Sequence, residues 1–442
     1  MFVLLKNKSR TRVRSTVLCI FLFIYPSPPV LAAEDLSRLS PLRIEEAVVN
    51  ALSKNPRITT LAASAAALSQ IPSQVGALPD PMLSLNAMNL PTDSFELDQE
   101  PMTQLQIIVS QRFPYPGKRA LEKEAAQFSA NAAHDRSAEY KDYLTGTVRA
   151  AWWQLYQADK ALEIVAQNKT LLADFIEVAK TKYAVGKGLQ QDVLLAELEL
   201  SRLLDREVKL IGQRKRRQAI LNGLMDRTPS YPIVLSAEPP NQSLPKVLAV
   251  DELISQAFEK RDLVLSLQRN VSAAEKRIAL AEKNRMPDFN VGVGYGDRRG
   301  SDPLRGDRTD LVSLMFSFNL PIYTSSKQNK AIEQRVSERE QHVSMLDELR
   351  LRIQSDIGAL TADYEASKDQ STLLKDTIIP QAEQTVASML AGYEVNKVDF
   401  LNVVNGQIML YNAQINYWDA LSNAKQSLAK LAASVGEESI YE

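Results

Sequence analysis

Two stretches of the chain carry the same features in the same order, and this internal repeat limits the possible folds more than anything else in the sequence. Pro79-Asp80 and Pro287-Asp288 lie 208 residues apart, and Pro114 and Pro321 lie 207 apart. Ala151, Tyr156, Ala158 and Lys160 find matches in Ala359, Tyr364, Ala366 and Lys368 at an offset of 208. Tyr183 and Lys187 answer Tyr393 and Lys397 at an offset of 210. A spacing held across three unlike local patterns marks two structural repeats, 34–230 and 248–435. A Pro-rich linker, 231–247, joins them, and 436–442 forms a tail.

Within each repeat a pair of alternating segments, about 82–113 and about 289–320, sits between long helical stretches. From Gly117 to Lys182 there is no proline and one internal glycine, Gly146. A continuous helix of that length is a rod of about 100 Å. Leu144, Val148, Trp152, Leu155, Ala158, Leu162 and Val165 fall three or four apart, as in a coiled-coil seam. A turn at Gly186-Lys187-Gly188 breaks the rod. Leu194, Leu198, Ser201, Leu204, Val208 and Ile211 then continue as the expected partner seam. Leu346, Leu349, Ile353, Ile357 and Leu360 repeat the plan, with the turn at Asn396-Lys397. Trp152 and Trp153 cannot share one helix face, so one is expected in the seam and the other against a neighbouring helix.

Residues 1–33 read as an export signal. Lys6, Lys8, Arg10, Arg12 and Arg14 precede a short apolar run, Val17 to Tyr25, and small residues follow at Ala32-Ala33. The run is too short to span a bilayer. Its removal would take the net charge from −1 to about −6, which disfavours nucleic acid as a partner. It would also remove the one cysteine, Cys19, so neither disulfides nor cysteine metal sites are expected. Cys19 lies inside the apolar run, a poor place for lipidation.

The alternating segments have one apolar and one small or polar face. Val312, Leu314, Phe316, Phe318 and Leu320 alternate with Ser313, Met315, Ser317 and Asn319. Val291, Val293 and Tyr295 alternate with Gly292, Gly294 and Gly296. Leu83, Leu85 and Ala87, and Leu105, Ile107 and Val109, follow the same rule. Each segment has the length of a tilted membrane strand, and the pattern is that of a transmembrane barrel. The charged stretch Asp297 to Asp310 suits an exposed loop. Four strands cannot close a pore, and an open edge in lipid leaves backbone groups unpaired. Other subunits must complete the barrel; three copies would supply 12 strands.

These features resemble the outer membrane factor (TolC) family over essentially the whole chain after the leader. The likeness rests on Leu78-Pro79-Asp80-Pro81 before the first strand and on Phe113-Pro114-Tyr115-Pro116-Gly117-Lys118-Arg119 at the strand-to-helix junction. It rests also on Tyr183-x-x-Gly186 with Asp192-Val193-Leu194-x-Ala196 at the helix turn. The Pro-Gly-Lys-Arg form is similar to the branch serving heavy-metal and cation exporters. The resemblance implies an α+β membrane protein, a homotrimer whose 12-stranded outer-membrane barrel continues as a long α-helical barrel through the periplasm. It implies the exit duct of a tripartite efflux system, working with a periplasmic adaptor and an inner-membrane transporter of the RND type.

By the same resemblance Asp192 and Tyr393 fall where neighbouring coils are linked in a closed periplasmic gate, with the family's basic partner replaced by Val398. The acidic constriction falls on Asn402 and Asn405, a ring that stays polar but loses its charge. The competing reading makes Asp192 and Asn402 ordinary solvated residues beyond a helix turn. Gly186, Lys187, Gly188, Asn396 and Lys397 are the expected adaptor contacts, and Pro114, Gly117 and Pro321 the junction residues. The second junction departs from the first, with Thr324-Ser325-Ser326-Lys327 in place of Gly-Lys.

Nothing points to an enzyme, a cofactor or a resident metal. His134 and His342 stand alone on helices, and no nucleophile–base set or phosphate loop occurs. Two rival readings remain at this level: a periplasmic adaptor or structural coiled-coil protein, and an exit duct for type I protein secretion.

Overall fold

The computed structural model describes residues 40–236, 241–304 and 306–441. The expected leader and Cys19 lie outside the described residues. The first repeat comprises α1 (Ile44–Lys54), α2 (Pro56–Gly76), β1 (Met82–Met88), β2 (Gln104–Phe113), α3 (Lys118–Ala184) and α4 (Gln190–Leu224). The second begins with α5 (Val250–Lys260), α6 (Asp262–Lys283) and β3 (Phe289–Asp297). A small loop ladder follows, β4 (Ser301–Asp302) with β5 (Gly306–Asp307), then β6 (Leu311–Phe318). It closes with α7 (Gln328–Leu373), α8 (Ile379–Glu394) and α9 (Phe400–Val435).

The expected rod is present: α3 is one helix of 67 residues. Its counterpart, Gln328 to Glu394, is interrupted by a π turn at Leu374–Ile378. Pro380 follows directly; it has no N–H to give to the preceding turn, and the wider turn absorbs that gap without ending the rod.

Both rods end in the same turn. Gly186 and Asn396 are left-handed, at φ 72° and 59°. The Lys187 amide donates to the Lys182 carbonyl at 2.9 Å and the Lys397 amide to the Gly392 carbonyl at 2.8 Å. Each turn closes the last carbonyls of its helix, with Gly or Asn at the left-handed position as that geometry demands.

The helices form one layer. Nearer the sheet the neighbours run α2, α3, α6, α7; farther away they run α4, α3, α9 and then α7–α8. The sheet has the matching order β1-β2-β3-β6, antiparallel throughout. No extensive contact joins α2 to α7 or α4 to α8 among the described residues. The chain is therefore a wall with two open edges rather than a closed bundle.

Trp152 and Trp153 are both fully buried about midway along α3. Trp152 stacks on Tyr156 with centroids 5.2 Å apart, and its indole donates to the Leu42 carbonyl at 3.2 Å. Trp153 does not part from it as expected: its ring meets that of Trp152 edge-on at 5.4 Å in the same buried cluster, and its indole donates to the Tyr441 hydroxyl at 2.8 Å. The linker is tied down here by Lys425, which donates to Ser243 at 2.6 Å, and by Lys368, which donates to Pro245 at 3.1 Å.

One expectation needs correction. The seam residues named on α4 do not face α3: Leu194, Leu198, Ser201, Leu204, Val208 and Ile211 are all exposed. Ala196, Leu203 and Leu210 make the buried face instead. The helix carries two apolar stripes, and three-and-four spacing alone does not say which one meets the partner in the same chain.

Candidate functional site

Three places in this wall can carry function: the sheet, the junction where strands become helices, and the far tip. In the sheet, Leu83, Val109, Val293 and Leu314 lie side by side across the strands, as do Leu85, Ile107, Tyr295 and Val312. All eight are exposed, Leu314 at 83%. Among the described residues no helix covers this face. The opposite face carries Ser84, Asn86, Gln106, Ser110, Asn290 and Ser313. Gly292, Gly294 and Gly296 lie buried on that face, where a Cβ on Gly292 would come within 3.2 Å of Ser110 and Met315. The glycine row lets neighbouring side chains, Ile108 and Met315 among them, fold inward over β3, so one face is apolar while the other mixes small and polar residues with these few larger ones.

At the far end of the strands the loops are bound together. Arg308 donates to the carbonyls of Asp98, Glu100 and Arg299, each at 3.0 Å, and Arg298 donates to Pro101 at 2.7 Å. The charged stretch is thus a structured cap on both hairpins.

At the junction, Tyr115-Pro116-Gly117-Lys118 is a type II turn: Gly117 has φ 90° and the Lys118 amide donates to Tyr115 at 3.1 Å. Proline presets the first corner and glycine takes the second, so the Pro-Gly pair has a direct geometric cause. The turn delivers Lys118, nearly buried, to Asp288 of the second repeat at 2.8 Å. Asp288 also accepts from Arg112 at 2.8 Å and from the Tyr115 amide at 3.0 Å. Burial alone would raise its pKa; these hydrogen bonds outweigh burial and hold it at about 2. The second junction is built differently. Pro321 leads into a helix-like turn in which the Asn329 amide donates to Thr324 at 2.8 Å, and no left-handed residue is used.

At the tip, Tyr393 is buried, with its ring 5.3 Å from that of Phe400. The Lys182 ammonium sits 3.8 Å from the Tyr393 ring centre and donates to the Tyr393 carbonyl at 2.7 Å and to Asn396 at 3.1 Å. Burial, and then the nearby Asp192 carboxylate, push the Tyr393 hydroxyl up. Among the described residues that hydroxyl has no hydrogen-bond partner. Asp192 and Tyr393 are therefore brought together within one chain, but not bonded. Asn402 and Asn405 lie exposed on the neighbouring face of α9, away from this cluster.

Sequence reasoning missed Lys182. It lies 211 residues from Tyr393, and only the packing of the two tip turns brings a cation to the place where Val398 supplies none. Val398 itself packs into the core and fills the space over Gly392, where a Cβ would come within 2.5 Å of it. Gly186, Lys187, Asn396 and Lys397 are exposed, flanked by exposed Val185, Leu189 and Val395. Gly188 is more enclosed; a Cβ there would meet Lys182 at 2.9 Å.

Comparison with known proteins agrees with this architecture. The family described as outer membrane efflux protein matches residues 253–437. The cobalt-zinc-cadmium resistance protein CzcC of Cupriavidus metallidurans is 20% identical over 323 residues, 72% of this chain and 74% of that protein. The outer membrane protein TolC of Vibrio cholerae is 20% identical over 331 residues, 71% and 72% of the two chains. The MtrE outer membrane channel of Neisseria gonorrhoeae, solved in its open state, superposes with a TM-score of 0.73 at 15% identity, covering 89% of each chain. In its duplicated strand-and-rod plan the chain is thus similar to outer membrane efflux proteins, whose family pattern its residues 253–437 match.

Proposed function

We propose that the protein is the outer-membrane channel of a tripartite efflux system, passing solutes delivered by an inner-membrane pump through the periplasm and out of the cell. One observation carries this reading: the sheet and the helical layer share the same order and leave the same two edges open, with an apolar face on the sheet that none of the described residues covers. In lipid an open sheet edge is unsustainable. Three copies, edge to edge, give a 12-stranded barrel standing on a helical tube, and the exposed stripe of α4 becomes a seam between subunits.

The chain supplies passage and docking rather than chemistry, and energy comes from the pump. Likeness to a cobalt-zinc-cadmium resistance protein supports metal cations as cargo and an RND-type transporter as partner. Asp192 and Tyr393, with Lys182, hold the periplasmic tip. Asn402 and Asn405 line its constriction as a polar, uncharged ring, which weakens any selection for cations. The exposed turns at Gly186-Lys187-Gly188 and Asn396-Lys397 meet the adaptor. An adaptor protein would need no lipid-facing sheet, and that face argues against the rival reading.

The test is the mass of the detergent-extracted protein by light scattering, alongside fractionation of the cell envelope. A trimer in the outer-membrane fraction is expected. A soluble monomer in the periplasm would overturn the reading.

A further inference from the structure

The Lys118–Asp288 clasp joins the end of β2 to the start of β3, and the repeat supplies a second set of the same parts. Asp80 stands before β1 at an offset of 208 from Asp288, and Lys327 stands before α7 at an offset of 209 from Lys118. Both are exposed. Among the described residues neither side chain has a hydrogen bond or an ion pair. They lie at the outer edges of the sheet, β1 on one side and β6 on the other.

We propose that Asp80 of one copy and Lys327 of the next form an intersubunit clasp equivalent to Lys118–Asp288. The inference rests on the edge-to-edge assembly above and adds a register to it. Within the chain Phe113 lies opposite Phe289. Carrying this pairing through the repeat sets Leu320 opposite Pro81 of the next copy, and Phe318 opposite Leu83. Phe318 and Leu83 are both exposed and both on the apolar face, so the transferred register keeps apolar residues beside apolar ones. A slip of one residue would turn every side chain of one strand to the wrong face. Charge points the same way: an unpaired carboxylate at one edge is matched by an unpaired ammonium at the other, at the same level of the wall. The turn before α7 lacks glycine and places its lysine at the last residue before the helix rather than the first within it, one position from where Lys118 stands.

Two experiments on the full-length protein test the clasp. In a Cys19→Ser background, Asp80→Cys with Lys327→Cys should give covalent dimers and trimers with a short bismaleimide in native membranes, while either cysteine alone should not. Separately, Asp80→Lys or Lys327→Asp should lower the temperature at which trimers dissociate in detergent, and the two together should restore it. Trimers that neither cross-link at this pair nor show rescue by the swap would overturn the clasp and leave the assembly standing. Absence of trimers from the unaltered protein would overturn the assembly as well.

Discussion

Lys118 and Asp288, 170 residues apart, meet at 2.8 Å where the strands give way to helices. The contact binds the first repeat to the second at the level where a barrel must be joined to a tube. Asp288 is held at about pH 2, below its unfolded value, so its contribution to stability is complete above about pH 4 and is lost as pH falls through about 2. Asp288→Asn should cost about 2 kcal/mol at neutral pH. Thermal denaturation of the detergent-solubilised protein should show the deficit at pH 7 and its disappearance near pH 2.

Leu314 faces outward on β6 and Ser313 faces the other way. Leu314→Arg should destabilise the membrane-inserted protein by about 2–4 kcal/mol if it lies near the bilayer midplane. Ser313→Arg should leave stability almost unchanged and alter conductance. Folding titrations into lipid vesicles, paired with bilayer recordings, separate the two.

Val208 is exposed on α4 and belongs to the stripe that faces away from α3. Val208→Asp should leave the single chain folded, because the described residues leave this side chain open. It should break the trimer, since burying an unpaired carboxylate at a subunit seam costs several kcal/mol. Light scattering reads the change, and circular dichroism checks that the helices persist.

Lys182 donates two hydrogen bonds across the tip and covers the Tyr393 ring. Lys182→Ala should loosen the tip and admit a large antibiotic that the outer membrane excludes. Tyr393→Phe should be close to neutral for folding, because the hydroxyl it removes has no partner among the described residues. Growth inhibition by vancomycin, with protein level as the control, distinguishes these outcomes.

The strands were legible because period-two alternation in Val312 to Phe318 and Phe289 to Tyr295 has a single structural meaning once one face is apolar. The rods were legible because no proline or glycine cluster interrupts Lys118 to Ala184. The orientation of α4 was not, because Leu198 and Leu203 belong to two stripes of similar spacing and only tertiary packing selects between them. The Pro-Gly junction was visible as a motif, but its purpose was not, since Lys118 finds Asp288 only after β2 pairs with β3. Lys182 escaped for the same reason: no local pattern ties it to Tyr393.

The most direct test of the central claim is the current through the purified protein in a planar lipid bilayer. Stepwise conductance from a trimer, altered by Ser313→Arg and blocked when trimers are dissolved, is the predicted result. A trimer that inserts into the bilayer and passes no current, with Lys182→Ala no different, would contradict it.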